Sequence, residues 1–262
     1  MAENIIKIEN VYKSYDDYNL LNNISMDIEK GKLVAITGPA GCGKSTLLKI
    51  TAGLIEPDGG TVKINGVDIF RLSRKRLFQL RKNWGFVFQD SALISNLTIF
   101  HNIALPLRYH TELSEEEIEE RVIKSLEEFG MEKERDNFPE KLSLGQRKMI
   151  AFARALITNP SLLFFDEPVT GIDAIAKKKI INMILPLRDN PEITVLMVSH
   201  NLDFIKTSAD YIALLSDGFL FAYGERDEIL KSSDPVIQRI LSIIVDEESI
   251  LAEEVLGILR GE

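Results

Sequence analysis

Gly38-Pro39-Ala40-Gly41-Cys42-Gly43-Lys44-Ser45-Thr46 stands between an apolar, β-rich run, Leu33-Val34-Ala35-Ile36-Thr37, and the helix-like Leu47-Leu48-Lys49-Ile50. This is the spelling of a loop that wraps phosphate. Glycines let the backbone curl so that several N–H groups point inward, and the helix that begins after Gly43 adds the positive end of its dipole. Lys44 brings a full charge to the β and γ phosphates of a nucleotide, while the Ser45 hydroxyl is suited to ligate a magnesium ion. A tight turn with no ligand would account for the glycines alone. It leaves the preceding strand, the Lys-Ser pair and the following helix without a reason.

Outward from the loop, composition sets the class. The chain has 262 residues, room for one large domain or two modest ones, and its 45% hydrophobic and 27% charged residues are ordinary for a globular protein. A net charge of -9 argues against a general nucleic-acid binder, which would carry a basic footprint. Nucleotide is a small anion held locally and is not excluded. The single cysteine, Cys42, rules out an intramolecular disulfide and fits a reducing compartment. Met1-Ala2-Glu3-Asn4 has neither the basic start nor the apolar core of a signal peptide, and no stretch approaches the roughly 20 apolar residues that span a bilayer. The expectation is a cytosolic protein that meets a membrane only through a partner.

Residues 5–9, 24–28 and 61–64 partly alternate apolar with polar, as half-buried antiparallel strands do, and Asn65-Gly66 is a hairpin signal. Between the first two lie Tyr12, Tyr15 and Tyr18. Either these rings pack on the sheet, or one stays exposed and stacks on a purine, an interaction worth about 1–3 kcal/mol. Arg71, Arg74, Lys75, Arg76, Arg81 and Lys82 form a basic stretch without an acid, read as a solvated helix face or as a surface turned towards anionic lipid. Trp84-Gly85-Phe86-Val87-Phe88 reads as a short buried strand that delivers Gln89 where α/β sheets place ligand contacts.

From about residue 95 to 160 the pattern turns helical. Ser114 and Glu117 form a capping box, Ile118, Val122, Leu126 and Phe129 recur at helical spacing, and Gly130 ends the run. Leu142-Ser143-Leu144-Gly145-Gln146 opens the next helix, with Ser143 as its N-cap and exposed N–H groups behind it that attract an anion. Leu162-Leu163-Phe164-Phe165 is apolar throughout, as a central parallel strand must be, and it ends in Asp166 and Glu167. After a phosphate loop, such a pair assigns itself: Asp166 holds magnesium and Glu167 accepts a proton from an attacking water. A second buried strand, Thr194–Val198, ends at Ser199-His200, whereas His101 and His110 read as bystanders. Ile212–Leu215 and Leu220–Tyr223 flank the hairpin signal Asp217-Gly218. After Asp234-Pro235 the tail places Ile237, Ile240, Leu241, Ile244, Leu251, Val255 and Ile258 at helical spacing, to pack back on the domain or to dock on another subunit.

Taken together over about residues 5–230, these elements resemble the ATPase subunit of ABC transporters. The family's motifs occur in its order. They are an adenine-stacking aromatic at Tyr15, the Walker A loop from Gly38 to Thr46, the Q-loop at Gln89, the signature at Ser143 to Gln146, Walker B at Asp166 with the catalytic Glu167, the D-loop at Asp173 and the switch histidine His200. The resemblance implies a RecA-like α/β P-loop core with an antiparallel β subdomain and a helical subdomain inserted at about 95–160. It gives an ATPase domain over 1–230 and a helical tail over 231–262 as a possible subunit contact. It implies ATP and Mg2+ as ligands, with Ser45, Gln89 and Asp166 around the metal and Glu167, His200 and Gln89 serving hydrolysis. It further implies a two-fold dimer in which Ser143, Gly145 and Gln146 of one copy, with Asp173, cover ATP held on the other's Walker A loop. One departure stands out: Leu144 replaces the first of two adjacent signature glycines, adding a side chain where the family has bare backbone.

The stretch Asn102 to Ser114 and the Asp234-Pro235 tail are similar to the ATPases of MCE-associated, Mla-type systems that move phospholipids between bacterial membranes. That resemblance implies an integral-membrane permease, a periplasmic MCE lipid-binding protein and a small STAS-domain subunit as partners, no nucleic acid, and a place on the cytoplasmic face of the inner membrane. An ABC ATPase for another cargo and a soluble ABC ATPase acting on DNA or the ribosome stand as alternatives. A P-loop kinase leaves the signature helix and His200 unexplained.

Overall fold

The computed structural model describes residues 3–16 and 18–260, the stretch 248–260 by its backbone alone. The chain opens with two long strands, β1 (Asn4–Tyr15) and β2 (Tyr18–Glu29), then β3 (Leu33–Thr37), α1 (Lys44–Thr51), β4 (Gly59–Ile64) and β5 (Val67–Asp68). Next come α2 (Arg74–Arg81), β6 (Trp84–Val87), α3 (Ile99–His110), α4 (Glu115–Phe129), α5 (Leu144–Leu156), β7 (Leu162–Asp166) and α6 (Ala174–Arg188). The chain closes with β8 (Thr194–Val198), α7 (Leu202–Ser208), β9 (Tyr211–Ser216), β10 (Phe219–Glu225), α8 (Arg226–Leu230) and α9 (Pro235–Arg260). It divides into two compact units, Met1–Arg71 with Leu196–Glu262, and Leu72–Val195. The fold class is α/β, with an antiparallel sheet and a mixed one, as the sequence led us to expect.

The first unit builds an antiparallel sheet in the order β2-β1-β4-β5. Its register pairs Ile6 with Ile28 and Ile64, and Ile8 with Met26 and Val62, so one face becomes a continuous apolar layer. Ile6, Ile8, Val11, Leu21, Ile24 and Ile28 are all buried there, each contributing on the order of 1.5–3 kcal/mol. In the same unit β3 runs parallel to β9, and β9 folds back on β10 through Asp217-Gly218, which makes this group mixed. All five residues of β3 are buried, as a run without polar alternation requires. Early in α9, Ile240, Leu241 and Ile244 are buried, while the side chains of Leu251, Val255 and Ile258 lie outside the described residues.

The second unit carries the helices. β6 lies parallel to β7, pairing Trp84 with Leu162 and Val87 with Phe165. A Cβ on Gly85 would stand 2.4 Å from the Ala155 carbonyl, so α5 packs directly against the strand's backbone. α4 has the capping box at Ser114–Glu117 and ends at Gly130 with φ 62°, while Ile118, Val122, Leu126 and Phe129 are buried. α2 buries none of its side chains, in keeping with a solvated basic face. Only Gly85 and Val87 of β6 are buried, so this strand is less enclosed than its apolar spelling suggests.

Candidate active site

In the first unit, β3 ends at Thr37 and the chain turns away at once at Gly38. A Cβ there would stand 1.9 Å from the Leu215 carbonyl oxygen, which confines the position to glycine. The loop closes at Gly43, whose φ of 101° makes it the left-handed N-cap of α1. No side chain caps this helix and no acid occupies its first turn, so its N-terminus offers backbone donors and the positive dipole end to an anion. Lys44, Ser45 and Thr46 form that first turn. Lys44 Nζ donates to the Gly38 and Pro39 carbonyls, each at 2.7 Å, which ties the ammonium across the loop. Ala40 N–H donates to the carboxylate of Glu247, at 3.1 and 3.3 Å from its two oxygens. Cys42 is buried, and burial pushes its thiol up, so it is a poor nucleophile at neutral pH.

Ser199 N–H donates to Ile36 O at 3.1 Å, so His200 leaves its strand beside the end of β3. Tyr12, Tyr15 and Tyr18 are 44%, 47% and 58% exposed, so none of the three rings is lost in the sheet. Tyr15 is distinguished by the Lys13 ammonium 5.4 Å from its ring centroid. Asp58 anchors that ammonium at 2.7 Å, and the pairing holds the Asp58 carboxyl below its usual range.

In the second unit, the parallel register ends with Val87 beside Phe165; Gln89 follows two residues beyond the end of β6, and Glu167 follows directly on β7. Gln89 is exposed, while Asp166 and Glu167 are buried. Glu167 has φ 49°, a left-handed conformation that costs a non-glycine residue on the order of 1–3 kcal/mol. Thr170 Oγ1 donates to its carboxylate at 2.8 Å. The signature opens α5 as a full capping box: Ser143 Oγ accepts from Gln146 N–H at 3.2 Å, and Gln146 Oε1 accepts from Ser143 N–H at 2.9 Å. Leu144 takes the first helical position, 36% exposed, and its side chain lies over Gly171. Asp173 caps α6, accepting from the Ile175 and Ala176 N–H groups at 2.9 and 3.0 Å, and these bonds hold its carboxyl below its usual range.

Gly145 is where α5 and α6 meet. A Cβ there would stand 2.7 Å from the Ala176 Cβ, closer than carbon atoms approach. Gly145→Ala is therefore expected to destabilise the chain by about 1–3 kcal/mol through overpacking, read as a lower thermal midpoint. An unchanged midpoint would mean that the two helix starts yield freely.

Two side chains carry no functional signal in the sequence and acquire one in the structure. Lys148, fully buried in α5, donates from Nζ to the Glu167 carbonyl at 2.8 Å. Arg154, two turns further on, donates to the Ser91 and Ala92 carbonyls, each at 2.8 Å. Ser91 and Ala92 are consecutive left-handed residues, φ 67° and 44°, just beyond Gln89. The signal available was phase: positions 145, 148, 149 and 152 share one helix face, so a lysine at 148 falls on the buried side.

The donor set suits magnesium. Ser45 in the first unit and Asp166 in the second each offer a hard oxygen. Mg2+ is ordinarily held by one or two protein oxygens and the phosphates of its nucleotide, and each of these residues is of the chemistry it takes.

The ABC transporter family model matches residues 21–170. The intermembrane phospholipid transport system ATP-binding protein MlaF of Haemophilus influenzae is 36% identical over 234 residues, 89% of each chain. A probable ribonucleotide transport ATP-binding protein, mkl of Mycobacterium leprae, is 33% identical over 90% of this chain and 68% of its own. Among solved structures, a dimeric ATP-binding cassette in a post-hydrolysis state bound to ADP and Pi aligns with a TM-score of 0.79 and 32% identity, covering 84% of this chain and 98% of that one.

Proposed function

The chain belongs to the ABC transporter family of ATP-binding proteins, and from that premise we propose that it is the ATPase subunit of a system moving phospholipid between bacterial membranes. The observation that carries the ATPase reading is the phosphate loop: glycine-only turns at Gly38 and Gly43, an uncapped helix start and Lys44 tied across the mouth. The phospholipid reading is supported by the similarity to MlaF across nearly the whole of both chains.

In this reading Lys44 and the loop N–H groups bind the β and γ phosphates, and Tyr15 stacks on the purine. Ser45, Asp166 and Gln89 are the residues that would hold Mg2+, which would supply positive charge to the phosphate oxygens. Glu167 takes the proton of the attacking water, and His200 contacts the γ phosphate. A second copy supplies Ser143, Gly145, Gln146 and Asp173 to the same nucleotide, because one loop leaves part of the triphosphate without donors. Residues 1–230 are the ATPase domain, with its helical part at about 95–160, and 231–262 a tail for subunit contact. Among the described residues no helix is long and apolar enough to cross a membrane, and in this reading a permease takes up the work. An apolar groove of about 360 Å3 in the second unit, lined by Phe78, Trp84, Phe86, Tyr109 and His110, is suited to a segment of that permease. A periplasmic MCE protein and a STAS-domain subunit complete the assembly, with the ATPase on the cytoplasmic face of the inner membrane.

The test is purification of the tagged full chain from detergent-solubilised membranes. A multi-span permease should accompany it, and ATP turnover of the complex in vesicles should respond to phospholipid content. Recovery on ribosomes or DNA would overturn the transport reading. A permease complex that answers to ribonucleotides and ignores phospholipid would overturn the cargo alone.

A further inference from the structure

Lys148 is the one fully buried charged side chain among the described residues apart from the carboxylates at the end of β7, and nothing in the nucleotide chemistry calls for it. Its Nζ reaches the backbone oxygen of Glu167 at 2.8 Å. Burial lowers the affinity of this amine for its proton, and the carboxylates of Glu167, Asp166 and Asp90 work against that loss. A buried ammonium is expensive unless paired, so a methionine or leucine would fill the same space at less cost. The cost is repaid by what the carbonyl belongs to.

Glu167 sits in a left-handed backbone conformation, φ 49°, that an L-residue keeps only when its surroundings fix it. Backbone dihedrals at this residue decide where its carboxylate points. Two contacts bear on it from opposite ends: Thr170 Oγ1 donates to carboxylate Oε2 at 2.8 Å, and Lys148 Nζ grips the carbonyl. Lys148 also stands one turn beyond Gly145 on the helix that Ser143 and Gln146 begin with their capping box. Any shift of that helix start therefore pulls on the backbone of Glu167 through a rigid helical turn and one charge-assisted hydrogen bond.

We propose that Lys148 is a positioning residue for hydrolysis, which holds the strained backbone of Glu167 and so aims its carboxylate, coupling the start of α5 to the proton-accepting group. This rests on the reading of Glu167 as the base.

The test is steady-state ATP hydrolysis by the full chain, with Lys148→Met removing the donor at nearly constant volume and Lys148→Gln restoring a neutral donor. Lys148→Met should lower kcat about 10–100-fold with KM for ATP and the thermal midpoint unchanged, and Lys148→Gln should recover most of the loss. In a Glu167→Gln background, Lys148→Met should cost nothing further, because a residue that acts only through Glu167 has nothing left to position. Equal losses added in both backgrounds, or a fall in KM and stability without a fall in kcat, would overturn the proposal. If Lys148→Met does not fold, Lys148→Arg, which keeps a donor but displaces it, should show the same kcat loss, and wild-type kcat there would overturn it. Full turnover by Glu167→Gln alone would sink the base assignment instead, a result separable from any behaviour of Lys148.

Discussion

A Glu167→Gln chain is expected to hydrolyse ATP roughly 10²–10⁴-fold more slowly than the native chain while binding the nucleotide equally well. The substitution keeps the shape of the side chain and an oxygen able to accept from Thr170 Oγ1, which donates to the native carboxylate at 2.8 Å. It also leaves the carbonyl that Lys148 holds. Only the capacity to take a proton from water disappears, so the loss should fall on kcat and leave KM alone. Single-turnover hydrolysis beside an equilibrium titration separates the two quantities. Undiminished turnover would remove Glu167 from its role.

The second large effect is on binding. Lys44→Ala removes a cation from the first turn of α1 and both of its 2.7 Å bonds to the Gly38 and Pro39 carbonyls. Hydrogen bonds to charged groups are worth about 1.5–3 kcal/mol, which corresponds to about 10–150-fold in the dissociation constant for ATP. The loop's backbone should survive, because Gly43 still starts the helix and Leu47 N–H still donates to its carbonyl at 2.9 Å. Calorimetric titration of the variant with ATP measures the change. An unaltered constant would mean that the phosphates are held elsewhere.

The phosphate loop was legible because its glycines, Lys44 and Ser45 stand in one short pattern between strand and helix, whereas the Leu215 carbonyl that bars a Cβ at Gly38 lies far along the chain and shows only in the structure. The ends of β7 and β8 were legible for a related reason, since strands buried on both faces are spelled without polar residues until they stop. The length of β1 was not. Residues 5–9 alternate as a strand should, but β1 runs on to Tyr15, with register shifts between Ile8 and Val11 and again between Val11 and Lys13 that break the two-residue period. Lys148 was hidden by the opposite prejudice, that a lysine on a helix faces water. The contact between Ala40 and Glu247 spans 207 positions, beyond the reach of any local pattern.

That last contact binds the two ends of the molecule's business. Glu247 is an anion seated on an amide of the phosphate loop, and if a nucleotide's phosphate draws on that same amide, each would weaken the hold of the other, by an identical factor whichever arrives first. A protein that draws α9 to itself would thereby sharpen the appetite for ATP without touching the loop. On those terms α9 would be a dial on fuel uptake, set by company rather than by composition.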